Sequence, residues 1–99
     1  MKFLKRSPLP QIAKKVFELQ TEKEIQDFFK AFLTPKEVKV LGDRYRVVEM
    51  LLKGKPQREI SQKLGVSISQ ISRGSEELQF GVGAEIFPNF FKEITKKGF

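Results

Sequence analysis

The chain has 99 residues, 19 basic and 12 acidic, for a net charge of +7, and it contains no cysteine, histidine or tryptophan. Those absences remove the usual ligands of zinc, haem and iron–sulfur clusters, a thiol nucleophile and the commonest general base near neutral pH, so neither a metal centre nor an enzyme is expected. The length sets one domain over residues 1–99 as the expectation, with a core small enough to gain from a partner subunit.

Apolar residues recur at helical spacing, and no segment alternates cleanly as a half-buried strand, which predicts an all-α chain of about six helices. The first, over residues 9–20, lines up Ile12, Val16 and Leu19. Thr21 and Glu24 have the spacing of a capping box, opening a second helix that carries Ile25, Phe28, Phe29 and Phe32. Thr34, Pro35 and Glu37 combine a threonine cap, a proline at the first helical position and a glutamate three residues after the cap. A third helix is therefore predicted from 35 to about 53, and its apolar residues, from Val38 to Leu52, cover more than one stripe, which marks it as central. Gly54 stops it, Pro56 opens a fourth helix that runs through Leu64, and Gly65 ends that one. Ser67 and Gln70 offer a further capping box for a fifth helix from 68 to about 79, broken by Gly81 and Gly83. The last helix, roughly 85–97, aligns Phe87, Phe90, Phe91 and Ile94, a stripe that suits a core or a dimer interface.

The longest apolar run is three residues, as at Met50, Leu51 and Leu52, against about 20 for a bilayer span. The opening is basic (Lys2, Lys5, Arg6) with no apolar stretch of signal-peptide length, so the cytoplasm is the expected compartment. This arm suits equally a contact to DNA and a solubilising tail. Positive charge is concentrated in residues 1–20 and 33–58, each with an excess of four. An anionic partner follows, whether nucleic acid, membrane surface or acidic protein.

Residues 57–73, QREISQKLGVSISQISR, narrow the choice. Two short helices joined by a tight turn need a residue tolerant of left-handed backbone at the turn, apolar residues inside and a small residue where the helices cross. Gly65 stands at the turn, Ile60, Leu64, Val66 and Ile71 at inward positions, and Ser61 at the crossing. This is a helix-turn-helix pattern, spanning about 56–79. Its second helix would present Ser67, Ile68, Ser69, Gln70, Ser72 and Arg73, a row rich in uncharged hydrogen-bonding groups suited to base edges in the major groove. Gln57 and Arg58, at the start of the first helix, suit phosphate contacts, which position a protein on DNA without reading sequence. A helical hairpin with an ordinary polar outside, or a protein-interaction module docking through the 33–58 block, are the other readings of the same residues.

Residues 33–78, through LTPKEVKVLGDRYRVVEMLLKG and then QREISQKLGVSISQISRGSEEL, resemble the tryptophan repressors. The threonine–proline helix start, the glycine and arginines of LGDRYRVVE, the QRE opening and the RGS that follows all stand in family order. The loop between Gly54 and Gln57 is one residue shorter than in the better-known members, and the flanking helices match in pattern only. The resemblance implies an intertwined all-helical homodimer that binds operator DNA as a repressor. Free L-tryptophan would bind as corepressor between the central and reading helices, setting the spacing of the two reading heads. It further implies that Leu33 and Thr34 line the site near the polar end of the ligand and that Arg44 of one subunit takes the carboxylate. Arg73 of the other subunit would stack on the indole and reach a phosphate, and Gly74 would let the ring approach the backbone. Without the resemblance, Arg44 reads as a solvated arginine or a weak pair with Asp43, Glu37 or Glu49.

Three positions depart from the family pattern. Glu77 stands where a serine faces the amino group of the ligand, and a carboxylate there could pair an ammonium or fold back onto Arg73 or Arg44. Ser61 replaces a lysine that contacts DNA, and Gln79 replaces a basic residue at the end of the reading helix. A relative that binds its site without ligand control is the alternative within DNA binding.

Overall fold

A computed structural model of the chain describes residues 7–92, and the regular elements among them are all helices: α1 (Leu9–Glu18), α2 (Glu22–Phe32), α3 (Pro35–Leu52), α4 (Gln57–Leu64), α5 (Ile68–Phe80) and α6 (Gly83–Phe90). Lys2, Lys5, Arg6 and Ile94 lie outside the described residues. The chain divides into two compact units between Val38 and Lys39. No helix among the described residues is long and apolar enough to cross a membrane.

In the first unit, α1 ends two residues before the expected position. Leu19 is extended (ψ 144°), and the N–H of Gln20 donates to Glu24 Oε1 at 3.3 Å, serving the next helix instead. The hydroxyl of Thr21 accepts the Glu24 N–H at 3.1 Å, as the capping pattern predicts. The box at the start of α3 is complete: Thr34 N–H donates to Glu37 Oε1 at 2.9 Å and Glu37 N–H to Thr34 Oγ1 at 3.1 Å. These reciprocal bonds satisfy donors that the first turn of a helix leaves unpaired. Neither α1 nor α2 contains a buried residue. Phe28 packs against Phe29 and Phe32, but Phe32 remains 74% and Phe17 90% exposed.

The second unit is built on the rest of α3. Val47 joins Ile60, Val66 and Ile71 in one buried cluster, while Val48 and Leu52 join Phe91 in another. The central role expected for the third helix holds on this side. Leu41 and Tyr45, by contrast, stay exposed, so the chain covers only part of its apolar surface. The C-terminus of α3 closes as expected at Gly54, whose φ of 80° lets its own N–H reach Leu51 O at 2.9 Å and the Lys55 N–H reach Met50 O at 3.1 Å.

Pro56 is the residue before α4 and not its first helical residue: its ψ of 147° is extended, and its carbonyl accepts the Ile60 N–H at 3.1 Å. Between α4 and α5 the chain turns through Gly65 at φ 67°, ψ 27°, with its N–H bonded to Ser61 O at 2.9 Å. A side chain in that left-handed conformation carries a steric cost. Gly65→Ala is expected to lower the stability of the protein by about 1 kcal/mol, read as a lower denaturant midpoint with an unchanged slope.

The last helix departs most from expectation. The fifth helix ends at Phe80 with Gly81 as its cap, and the last helix begins at Gly83, two residues before the expected start, and runs to Phe90. Pro88, unweighed in the sequence pattern, lies inside the helix and lacks the N–H that would bond Ala84 O, and residues 93–97 of the expected span lie outside the described residues. The first turn is held from outside, by a carboxylate of α5 described below.

Candidate functional site

The α4–turn–α5 segment has the burial that the helix-turn-helix pattern requires. Ile60, Val66 and Ile71 are buried and Leu64 packs against them. Ser61 is at the crossing, and its hydroxyl donates to Val66 O at 2.7 Å, spanning the turn. A half-buried hydroxyl bound in this way braces the turn, which gives Ser61 an internal role.

The start of α5 is tightly capped. Ser67 Oγ accepts the Gln70 N–H at 3.2 Å, the Ser67 N–H donates to Gln70 Oε1 at 3.3 Å, and Ser67 Oγ lies 3.1 Å from Ser69 Oγ. Ser67, Ile68, Ser69, Gln70 and Arg73 are exposed, as expected of a reading face. Ser72 is a correction: it is half-buried and its hydroxyl donates to Gln57 Oε1 at 3.2 Å, so both side chains turn toward the α4–α5 junction. The reason is the 100° step of the helix, which puts Ser72 one residue past the buried Ile71 and beside α4. Arg58 is exposed and has no ion pair among the described residues.

Behind this face lies a cavity of about 350 Å³ walled by α3, the turn, α5 and α6. Val47, Val48, Val66 and Phe87 supply its apolar surface, and Arg44, Arg73, Asp43, Glu77 and Gln70 its polar one. Gly74 completes the wall. A methyl on Gly74 would lie 3.2 Å from Val47 Cγ1, a tight contact that marks the close approach of α5 to α3 at this point.

Four of the six residues expected at a ligand, Arg44, Arg73, Gly74 and Glu77, therefore meet at one cavity of one chain. Arg44 and Arg73, which the resemblance assigns to different subunits, both line this cavity in the single chain. Leu33 and Thr34 are not in its lining. They belong to the first unit, where Leu33 ends α2 and Thr34 caps α3. Asp43, Gln70, Val47, Val48, Val66 and Phe87 were not expected at a ligand site. Val66 and Phe87 are legible in the sequence only as inward positions, and nothing there shows that their faces converge.

The charges of the cavity are unequally satisfied. Asp43 is paired with Lys39 at 2.9 Å. Arg44 and Arg73 have no ion pair among the described residues. Glu77 turns onto neither arginine; its Oε2 accepts the N–H of Gly83 at 2.8 Å, in the first turn of α6. A carboxylate at that end of a helix is favourably placed against the macrodipole and satisfies a donor the helix leaves open.

The family model described as Trp repressor protein matches residues 7–94. A Trp operon repressor homolog of Chlamydia trachomatis serovar D is 48% identical over 81 residues, covering 81% of this chain and 80% of that protein. Another, from Chlamydia caviae, is 40% identical over 81 residues, covering 81% and 78%. A Trp operon repressor homolog of Vibrio vulnificus strain YJ016 is 46% identical over 68 residues, or 67% of each chain. No solved structure matches the chain.

Proposed function

This chain belongs to the Trp repressor family, and from that premise we propose that it is a homodimeric, cytoplasmic repressor that binds operator DNA under the control of L-tryptophan. The observation that carries the reading is the sharing of α5 between two surfaces. Gln70 and Arg73 stand on its exposed face and also line the cavity between α3 and α5. A ligand seated there bears on the reading helix directly. Helix-turn-helix proteins, this family among them, place that helix in the major groove and match the separation of two half-sites with a dimer.

In the mechanism, Arg44 holds the carboxylate of the ligand, and the guanidinium of Arg73 lies against the indole face and reaches a phosphate. The valines of α3 and Phe87 bury the ring, and Gly74 leaves it room. Ser67, Ile68, Ser69 and Gln70 read bases, while Gln57, Arg58 and the hydroxyl of Ser72 serve the phosphates, Gln57 and Ser72 after exchanging their mutual bond for one to DNA. The dimer is supported by apolar surface left uncovered in the single chain: α1 and α2 bury nothing, and Phe80 and Phe90 are 83% and 73% exposed. Patches of this kind mark association surfaces.

The test uses the absence of tryptophan from the chain. Titrating free L-tryptophan with protein is expected to give a saturable change in indole emission at one ligand per chain. Selection of DNA with the ligand present is expected to recover a preferred duplex whose affinity falls linearly with salt in a log–log plot. Sequence-independent retention with no ligand response would overturn the reading.

A further inference from the structure

The helix-turn-helix brings no net charge of its own. Residues 57–80 hold three basic and three acidic side chains, and on α5 the one cation, Arg73, stands against Glu76 and Glu77. Double-stranded DNA is a dense polyanion, and sequence-independent affinity for it comes from cations that displace its counterions. Two further cations stand immediately before α4: residues 50–58 include Lys53, Lys55 and Arg58 and no acid. All three are exposed, and none has an ion pair among the described residues. Of the flanking acids, Glu49 makes no ion pair with Lys53 one turn later, and Glu59 faces Lys63 at 4.0 Å. The turn that carries the lysines is fixed at both ends. Leu52 is fully buried at the end of α3, and the left-handed Gly54 lets the N–H groups of Gly54 and Lys55 return to Leu51 O and Met50 O. On the other side, Pro56 (φ −64°) confines Lys55 before it to extended backbone. Two residues cannot place Lys55 more than about 7 Å from Gln57, and Gln57 is bonded to Ser72 of α5. Pro56 supplies no side-chain cap to α4, so the positive end of that helix is open beside the lysines.

Resting on the reading of α4–turn–α5 as the DNA-binding element, we infer that Lys53 and Lys55 form with Arg58 a phosphate-binding ridge that clasps the DNA backbone beside the groove entered by α5. In a helix-turn-helix the first helix crosses the backbone, so the turn leading into α4 meets phosphates and not base edges. The ridge supplies the positive charge that the helix-turn-helix lacks and carries no sequence information, leaving selection to Ser67, Ile68, Ser69 and Gln70. Its fixed backbone limits the ordering cost of binding to the lysine side chains. The same lysines follow the C-terminus of α3, where the helix dipole favours a cation. That role alone would give a loss of stability on their removal and no change in DNA binding, so the two roles separate by experiment.

The probe is a short duplex of mixed sequence at a fixed concentration of L-tryptophan, so the measurement does not depend on the operator, and the readout is the slope of log affinity against log salt. Lys53→Gln and Lys55→Gln are each expected to reduce that slope by about one, and the double variant by about two, because each neutralised phosphate contributes about 0.9 to it. The loss of affinity should be the same for duplexes of different sequence. The double change Lys53→Arg with Lys55→Arg is expected to keep the slope, since either cation pairs a phosphate. Lys39→Gln removes an equal charge from α3, about 20 Å back along the helix, and is expected to leave the slope unchanged. A thermal melt of each preparation reports the end of α3. A wild-type slope in the double glutamine variant would overturn the inference and leave the helix-turn-helix as the DNA-binding element, and a lowered melt would then assign the lysines to α3 alone. An equal fall in Lys39→Gln would trace the effect to net charge, and a loss that varies with sequence would remove the lysines from the phosphates; either would overturn the inference. No salt-dependent binding of the duplex by the wild type would overturn both the inference and the reading on which it rests.

Discussion

Arg73→Ala is expected to weaken both L-tryptophan binding and operator binding, each by about ten- to hundredfold, the range of one lost charge-assisted hydrogen bond. The expectation comes from its position, exposed on α5 and at the same time in the wall of the cavity. Arg58→Ala is the matched control, because Arg58 is equally a cation of the helix-turn-helix but is not in the cavity lining. It should lower DNA affinity and reduce the salt slope by about one while leaving L-tryptophan affinity alone. Arg73→Lys should recover part of the DNA affinity and little of the ligand affinity, since an ammonium pairs a phosphate as a point charge but lacks the planar group that stacks on a ring. Fluorescence titration and a salt series on the same preparations measure all of this. Wild-type operator affinity in Arg73→Ala would remove the residue from the DNA contact.

Ile71→Ala should cost about 3 kcal/mol of stability, within the 2–5 kcal/mol span for truncating a buried isoleucine. Its side chain is fully buried among Val47, Ile60 and Val66, where the turn, α4 and α3 all contribute walls, so the cavity left behind has little freedom to collapse. Ile68 is on the same helix three residues earlier and is 49% exposed. Ile68→Ala should change stability by no more than about 0.5 kcal/mol and act on DNA binding instead. Denaturant melts of the two variants at one fixed protein concentration test the pair, the concentration being held because association shifts apparent stability. Equal losses for the two would contradict the inward and outward assignment of α5.

These two residues also mark how far the sequence carried. Ile71 is inward by the helix-turn-helix pattern, whereas Ile68, three residues earlier and close to it in helical phase, is exposed only because it stands in the first turn beyond the packed helices. Local logic also placed the capping pairs at Thr34 with Glu37 and at Ser67 with Gln70. Each of those features depends on residues within one turn of each other. The left-handed turn at Gly65 is likewise local, since few other residues occupy that backbone region cheaply. Local rules misplaced helix ends where a partner outside the helix intervened. The Gln20 N–H was claimed by Glu24, and the Gly83 N–H by the carboxylate of Glu77.

By itself the sequence determined an all-helical chain, the helix-turn-helix with its inward residues, the absence of metal-ligating histidine and cysteine, and, through its resemblance to a family, four residues of the cavity. Periodicity, capping and glycine conformation act over a few residues, so they can be read from adjacent letters. Only the tertiary structure decided that Arg44 and Arg73 meet within one chain, that Ser72 turns to Gln57 across fifteen residues, and that Phe87 closes the wall opposite α3. It also decided the state of Glu77, for which the sequence left open an ammonium or an arginine. The outcome was a backbone N–H six residues away, reached because two glycines leave space for the carboxylate at the start of α6. Such outcomes depend on how helices cross and on which donors stay unsatisfied after packing, and neither is encoded in the spacing of any one segment.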